Sequence, residues 1–574
     1  MKISPQDRYQ DWLKHPAVSE SNRKLLKHFT PQEIEDAFFK DIEFGTAGMR
    51  GVMGLGPNRI NFFTIQKAAV AYGLMLRKLY PQALAKGVVI AHDNRQQADE
   101  FTNLTSSILN QMGIHTFIFK ELIPTPLLSF TVRYLGALGG IMLTASHNPK
   151  EYNGYKVYDD QGCQLVPQKI QPMLDILASL PDVLEVTPPT FTPKGQPSIV
   201  PQEVEGQYLT LVKGLQLQPN LSKQPFKMVF SPQHGASYRL LPALFQSLGY
   251  QLFVVPEQAQ PDANFSGTAS PNPEEPAAYE VAIRYAMQQQ AHLVMVADPD
   301  ADRVGLAYRN RKGTYTLLNG NQSAALLLDY LLSQRQKQNL LPHHGVMYDT
   351  IVSSPMARKI AQHFGVKTET FLTGFKFIGD RIAFYQRHAG PQFLFGYEES
   401  YGCLIGDFVR DKDAIQALTL YAEMSLHYFH LGFDLGEALE QLHQTYGYYM
   451  DKQYALSLNG LEGATFLTNL MDRIRQTPFK PLGTHKVVQF DDYLHQTRKD
   501  AEGHVSQIAL PKANVVGLTF NDGCTIIVRP SGTEPKCKFY FLLNGRSNEE
   551  VSQRLTTYLQ DFSLTYLSED KVLK

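Results

Sequence analysis

Cysteine is scarce in this chain: Cys163, Cys403, Cys524 and Cys537 are the only four in 574 residues, and no Cys-x-x-Cys pair occurs. That excludes a disulfide framework and a thiolate zinc site, and it points to a reducing compartment. The histidines, His234 among them, show no metal-ligand spacing and are read as structural. Long hydrophobic runs are also missing, so no segment is expected to span a bilayer. The first eight residues lack the apolar stretch of a secretory signal. Excess charge of either sign is missing as well: 54 basic residues face 55 acidic ones, with no long block of one sign. Such a balance leaves no footprint for nucleic acid or a membrane surface. Any anion must be held by local geometry. The expected setting is cytoplasmic, with no required protein partner.

Nucleotide signatures are absent too. The glycine-rich residues 44–56 lack the Gly-x-Gly-x-x-Gly spacing, and the small-residue loop after Arg529 lacks the Gly-Lys-Ser/Thr of a Walker loop. A nucleotide cofactor is therefore disfavoured. What the chain does have is ordinary globular composition, 43% hydrophobic and 19% charged, and a length that predicts about three to five domains.

The first forty or so residues read as a helical arm, with Trp12, Leu13, Leu25, Leu26, Ile34 and Phe38 set among polar residues. A glycine-rich loop over residues 44–51 follows. Residues 87–91, 116–119 and 140–143 read as strands, with a helix over 101–112. A Pro-rich stretch, 187–201, reads as a linker. A second α/β unit has strands at 226–230, 252–255 and 293–297. A third runs from about residue 319 through a helix at 323–332 to a strand at 393–395. From about residue 484 a smaller unit shows strands at 514–519, 525–528 and 538–543, then a terminal helix. This alternation predicts α/β sheets with chemistry at the strand ends.

Four constellations stand at such ends. Leu143-Thr144-Ala145-Ser146-His147-Asn148-Pro149, with Tyr152-Asn153-Gly154-Tyr155-Lys156 beyond, offers a serine beside an imidazole, an amide and a lysine. Asp298-Pro299-Asp300-Ala301-Asp302-Arg303 places three carboxylates at alternate positions behind an apolar strand. Carboxylates so crowded repel unless a cation neutralises them, which favours a hard divalent metal. A calcium EF-hand is ruled out by Arg303 and Arg309 where glycine and glutamate would be needed. A solvated acidic turn remains the alternative, and Mg²⁺ the preferred reading. Arg529-Pro530-Ser531-Gly532-Thr533 offers a guanidinium, two hydroxyls and open backbone amides to a phosphate, with an ordinary Ser-Gly turn as the alternative. Gly396-Tyr397-Glu398-Glu399-Ser400 suits vicinal sugar hydroxyls or a helix N-cap. Thr373-Gly374-Phe375-Lys376 adds a lysine that either snorkels from the core edge or binds phosphate.

Taken in this order, Thr-Ala-Ser-His-Asn-Pro, Asp-x-Asp-x-Asp-Arg and Arg-Pro-Ser-Gly-Thr-Glu-Pro resemble the α-D-phosphohexomutase superfamily, over residues 41–541. The resemblance implies an α/β protein of four domains around a central cleft. Three would be similar mixed α/β-sheet domains and the fourth a C-terminal TATA-binding-protein-like α+β domain. Expected boundaries are 1–40 for the arm, 41–200 for the serine domain, 201–315 for the metal-loop domain, 316–450 for the sugar-loop domain, and 451–574 for a linker and the phosphate-binding domain. It further implies that Ser146 carries the phosphoryl group and that one Mg²⁺ lies between that phosphoserine and Asp298, Asp300 and Asp302. Arg50 and Arg303 would steady charge, and Lys156 would act as base with His147 as helper. Glu398 and Ser400 would read sugar hydroxyls. Arg529, Ser531, Gly532 and Thr533, with Lys376, would hold the unreacting phosphate, and Thr373 and Gly374 would join the substrate site. A lysine base needs a lowered pKa, which neighbouring arginines and a metal favour.

The longer Gly-Tyr-Glu-Glu-Ser-Tyr-Gly loop departs from the short form of bacterial phosphomannomutases and favours glucose phosphates. The implied activity is reversible conversion of glucose 1-phosphate and glucose 6-phosphate through glucose 1,6-bisphosphate. Pentose phosphate mutation, synthesis of the bisphosphate, metal-dependent phosphate hydrolysis and a non-catalytic sugar-phosphate sensor are the alternatives.

Overall fold

The computed structural model describes residues 4–45, 48–458, 460–531 and 536–567. The chain forms two compact units. The first comprises residues 1–320, 374–396 and 400–434, the second residues 321–373, 397–399 and 435–574.

The first unit opens with three helices, Pro5–Lys14, Glu20–Leu26 and Pro31–Phe38. Each begins with a serine or threonine cap that accepts an amide hydrogen from the first turn, which satisfies donors the helix itself leaves unpaired. Trp12 anchors this arm. It meets Phe38 and Phe63 edge-on at 5.7 and 5.4 Å, in a cluster with Leu26, Ile34, Val183 and Leu184.

Beyond the arm lies a seven-stranded sheet, in the order Phe44–Gly45, Gly48–Val52, Tyr152–Tyr158, Gly139–Leu143, Val88–His92, Thr116–Ile118 and Pro197–Ile199. The last four strands run parallel, and the first three complete the sheet in antiparallel register. Two expectations change here. Most of the glycine-rich segment is strand: Arg50 stands opposite Gly154 in the sheet, and only Thr46 and Ala47 lie outside the described residues. The Pro-rich stretch is no plain linker either, since Pro197–Ile199 pairs with Thr116–Ile118 as the sheet's edge, where a proline costs no ladder bond. Gly154 is forced by close approach, because a Cβ there would sit 2.6 Å from the Thr144 carbonyl and 2.7 Å from that of Met49.

A second, five-stranded sheet follows in the order Tyr315–Leu318, Val304–Arg309, Leu293–Ala297, Lys227–Ser231 and Gln251–Val254. Its central strand, Leu293–Ala297, is wholly buried, which explains its unbroken apolar sequence.

The second unit contains the helix Gly320–Lys337 and the parallel strand pair Gly345–Thr350 and Lys367–Phe371. It ends in a seven-stranded antiparallel sheet, ordered Tyr448–Ser457, Lys536–Gly545, Thr525–Pro530, Val516–Phe520, Val487–Asp492, Thr497–Asp500 and Val505–Gln507. The helices Gly460–Gln476 and Asn548–Tyr566 contribute Leu470, Ile474, Tyr558 and Phe562 to its core. The strand Tyr448–Ser457 begins three residues before the expected boundary at 451 and occupies a stretch expected to be linker, because its charged Asp451 and Lys452 mask the alternation. Among the described residues no helix is long and apolar enough to cross a membrane, and all four cysteines are buried and free.

Candidate active site

Two sheets of the first unit deliver the site from the carboxyl ends of their strands, where open α/β sheets place their ligands. Gly139–Leu143 leads into Ser146, and Leu293–Ala297 leads into Asp298. The loops meet: Ser146 Oγ donates to Asp298 Oδ2 at 2.8 Å and lies 3.1 Å from His147 Nδ1. Both loops are strained, with φ at +53° for Ser146 and +52° for Ala301, a region that residues bearing a Cβ adopt only when their surroundings require it. Gly235 lets the acidic loop pack down, because a Cβ there would lie 2.4 Å from Pro299.

Asp298, Asp300 and Asp302 are all buried, and a carboxylate oxygen of each lies within 4.8 Å of the others. Asp298 Oδ1 accepts the amides of Asp302 and Arg303 at 3.0 and 2.9 Å. Asp300 Oδ2 accepts from Thr125 Oγ1 at 2.9 Å and from Lys156 Nζ at 2.7 Å. Asp302 Oδ2 lies 3.5 Å from Lys156 Nζ and 3.1 Å from Lys412 Nζ. Burial, with the charges of Asp300 and Asp302 beside it, pushes the Asp298 carboxyl well above the ordinary range. Burial opposes ionisation of the other two as well. Lys156 nonetheless brings Asp300 below its usual value, and Lys412, Lys156 and Arg303 do the same for Asp302.

Asp300 Oδ1 and Asp302 Oδ1 are sealed from solvent and accept no hydrogen bond. Buried acceptors are rarely left so. An all-oxygen set that is crowded, buried and partly unsatisfied fits a hard divalent cation. One further group, Asp500, Glu502 and His504, brings its ligand atoms equally close, a proximity that the reading of the histidines as unspaced for metal overlooks. It sits on an exposed turn where His504 Nδ1 already bonds Asp500 Oδ2 at 2.9 Å. His234 is structural: its Nδ1 bonds the Gln260 carbonyl and its Nε2 accepts the Gly267 amide.

Lys156 stands on the strand Tyr152–Tyr158, opposite Met142. Burial alone would depress its pKa, but Asp300 and Asp302 hold it above the ordinary lysine value against a smaller opposing effect of Lys412. The groups in contact with its ammonium are carboxylates, not the arginines expected from the sequence. His147 is half-buried, and burial with Arg303 and Arg50 nearby keeps its pKa well below normal. Arg50 donates to Asn148 Oδ1 at 2.8 Å, and Arg303 Nη1 to Glu274 Oε1 at 2.8 Å.

The remaining expected residues divide between the units. In the first, Lys376 is buried at the start of the helix Lys376–Arg387, its ammonium 5.3 Å from the Phe377 ring centre, with half-buried Gly374 and Ser400 in the same unit. In the second, Glu398 is buried at the end of the strand Gln392–Glu398, and Thr373 is half-buried. Arg529 stands near the end of Thr525–Pro530, opposite Lys538. Ser531 closes the loop by donating its amide to the Lys536 carbonyl at 2.7 Å. Gly532 and Thr533 lie outside the described residues.

Sequence reasoning missed five residues at the site. Lys412 pairs with Asp302 and with Asp411 Oδ1, the latter at 3.2 Å, and Tyr158 Oη donates to Asp411 Oδ2 at 2.9 Å. The signal was available: Arg410, Asp411, Lys412 and Asp413 are four charges in a row between apolar segments, and buried charges must pair. Asp93 and Arg95, after the strand Val88–His92, pack beneath the serine loop. Nothing local in the sequence marks them.

Family comparisons fall on these same segments. Three consecutive descriptions match: phosphoglucomutase/phosphomannomutase α/β/α domain I over residues 41–181, domain II over 207–313 and domain III over 319–446. The phosphoglucomutase of Staphylococcus epidermidis strain ATCC 12228 is 37% identical over 555 residues, which is 95% of this chain and 99% of that protein. That of Staphylococcus aureus strain MSSA476 is 36% identical over 554 residues, 94% and 97% of the two chains. In fold, the chain is similar to Paramecium parafusin, a phosphoglucomutase in its open form, with a TM-score of 0.69 at 19% identity and coverage of 93% and 97%. A Burkholderia thailandensis member of the same family gives 0.65 at 18%, covering 91% and 97%. With matches to three successive family domains and relatives aligned along nearly their whole length, the chain belongs to the phosphoglucomutase/phosphomannomutase family.

Proposed function

We propose that the protein is a phosphoglucomutase, an isomerase that interconverts glucose 1-phosphate and glucose 6-phosphate through a phosphoserine at Ser146 and glucose 1,6-bisphosphate. The observation that carries this reading is the seating of Ser146 Oγ against Asp298 inside a buried, partly unsatisfied carboxylate triad. The relatives that align from end to end are named phosphoglucomutases. A cytoplasmic setting suits the four free cysteines.

In this reading the sugar hydroxyl attacks the phosphorus on Ser146. The Oγ–P bond breaks as the new O–P bond forms, and the hydroxyl proton passes to Lys156 Nζ, which must first have given up its own proton, with His147 in support. The resulting bisphosphate reorients and returns its other phosphate to Ser146 Oγ, while Lys156 gives the proton back to the departing sugar oxygen. A divalent cation, Mg²⁺ by preference, held by Asp298, Asp300 and Asp302 would neutralise the phosphoryl oxygens and relieve Lys156 of its two anionic partners. Arg50 and Arg303 stabilise charge on the moving group. Glu398 and Ser400 accept and donate to sugar hydroxyls. Arg529, Ser531, Gly532 and Thr533, with Lys376, grip the phosphate that does not react, and Thr373 and Gly374 join the substrate site. Phosphoryl transfer asks little of a protein beyond positioning and charge neutralisation, and these residues offer both. One clamp serves both ends of the sugar because the intermediate turns over between half-reactions.

The test is a coupled assay of glucose 6-phosphate formation from glucose 1-phosphate, with Mg²⁺ and a trace of glucose 1,6-bisphosphate, beside ribose 1-phosphate. Turnover of glucose 1-phosphate stimulated by the bisphosphate is expected. A strong preference for ribose 1-phosphate would move the assignment to a phosphopentomutase, and inactivity on both would overturn it.

A further inference from the structure

Arg95 is an unusual investment for a protein core. Its side chain is fully buried, and both terminal nitrogens are spent on one segment. Nη1 donates to the carbonyls of Pro149 and Tyr152 at 2.8 and 2.7 Å. Nη2 donates to those of Ser146 and Asn148 at 2.7 and 2.5 Å. A planar guanidinium can serve four carbonyls at once, which an ammonium cannot. On the other side of the loop, the Ser146 amide donates to Thr144 Oγ1 at 2.8 Å, and that hydroxyl donates to Asp93 Oδ2 at 2.5 Å. Asp93 closes the circuit, accepting the Arg95 amide at Oδ1 at 3.1 Å and lying 3.5 Å from Arg95 Nε. Ser146 is thus gripped at its carbonyl by Arg95 and at its amide by Thr144 and Asp93. Between the two grips its backbone holds a φ of +53°.

We propose that Arg95 is a positioning residue for phosphoryl transfer. With the Asp93–Thr144 pair it holds Ser146 in the strained conformation that aims Oγ at Asp298. This assignment rests on the reading of Ser146 as the phosphoryl carrier. Arg95 touches neither substrate nor the reacting atoms, so its loss displaces the serine without disturbing the sugar-phosphate contacts. A misplacement of about 1 Å at a reacting centre costs on the order of 100-fold in rate.

The experiment compares Arg95→Lys, Thr144→Val and Thr144→Ser with wild type in steady-state kinetics, each with a thermal melt. Kinetics are read on whichever sugar phosphate the wild type turns over. Arg95→Lys and Thr144→Val should each lower kcat by about 100-fold with KM essentially unchanged. Thr144→Ser keeps the hydroxyl and should retain wild-type kcat. The proposal is overturned if KM rises in step with the fall in kcat, if Thr144→Val matches wild type, or if Thr144→Ser is as impaired as Thr144→Val. Should Arg95→Lys fail to fold, the Thr144 pair decides alone. A wild type inert on every sugar phosphate overturns the proposed function and this assignment with it. An active wild type with unaffected variants overturns this assignment only.

Discussion

Ser146 Oγ and Asp298 Oδ2 stand 2.8 Å apart although 152 residues separate them in the chain. The hydroxyl reaches its partner because strands of two mixed sheets end at the same place, each in a loop with one left-handed residue. The bond also orients the oxygen that the proposed cycle phosphorylates. Ser146→Ala should therefore abolish turnover while sugar-phosphate affinity, measured by titration calorimetry, stays near wild type. Residual turnover near the wild-type rate would show that no covalent carrier at this position is needed.

Lys156 offers a second separation of roles. Its Nζ touches Asp300 at 2.7 Å, so its removal takes away a counter-charge in the resting site and the proton acceptor of the proposed cycle. Lys156→Gln should lower kcat by about 10²–10⁴-fold, the usual worth of a general base. Its phosphoserine content after exposure to glucose 1,6-bisphosphate, read by intact mass, should fall far less than its turnover. A rate within a few-fold of wild type would remove Lys156 from the proton path and direct attention to its neighbour Lys412.

The readable part of this site is the part written contiguously. Thr144 to Pro149 and Asp298 to Arg303 each compress a strand end and its functional groups into six residues, so composition and order suffice. Arg95, Asp93 and Lys412 act through long-range contacts with those loops. Nothing in His92-Asp93-Asn94-Arg95 points to the serine loop, and the run Arg410-Asp411-Lys412-Asp413 signals buried pairing without naming its partner. In the fold, residues 44–51 read as a glycine loop because a glycine that a close approach requires looks the same in sequence as a glycine of a turn. Gly48 is such a case, its missing Cβ leaving room for the Tyr155 carbonyl. Tyr448–Ser457 escapes notice as a strand because none of its residues is fully buried and its pairing partner, Lys536–Gly545, comes from the far end of the chain.

Trp12 is the only tryptophan and is 2% exposed. Trp12→Ala should destabilise the first unit by about 3–5 kcal/mol, the range for deleting a large buried ring. Denaturant midpoints measure this, and Trp12→Phe should cost less. Since the contacts of Trp12 run to Phe38 and Phe63 and not to the proposed catalytic residues, kcat at low temperature should be unaffected. A loss of kcat without a loss of stability would contradict that separation.

Asp451 links stability to pH. Its Oδ1 is sealed from solvent without a hydrogen bond, and burial pushes the carboxyl up to about 7 despite Ser354 and Arg358 nearby. The folded state therefore keeps the proton over a range where the unfolded chain, with an ordinary aspartate, has released it. Stability contributed by this residue is greatest below the unfolded value and falls as pH rises towards 7. Asp451→Asn, a mimic of the protonated form, should leave stability near pH 4 little changed. At pH 8 it should raise stability by a few kcal/mol, on the order of what such a shift implies. Equal effects at both pH values would show that the carboxyl ionises freely in the folded protein.

Asp298→Asn tests the triad itself. Of the three carboxylates, Asp298 is the one whose ionisation burial and its two acidic neighbours most oppose. An amide removes that charge while still accepting the Asp302 and Arg303 amides at Oδ1. Without divalent cations the variant should melt at or above the wild-type temperature, because a like-charge contact is gone. On adding Mg²⁺ the wild type should gain stability, by about 2.7 kcal/mol at one hundred times the dissociation constant. The variant should gain far less and should lose turnover. The sign of the metal-free comparison distinguishes this account from a structural one. If Asp298 mainly held the two loops together through Ser146, its replacement would lower the metal-free melting temperature while leaving the Mg²⁺ increment intact.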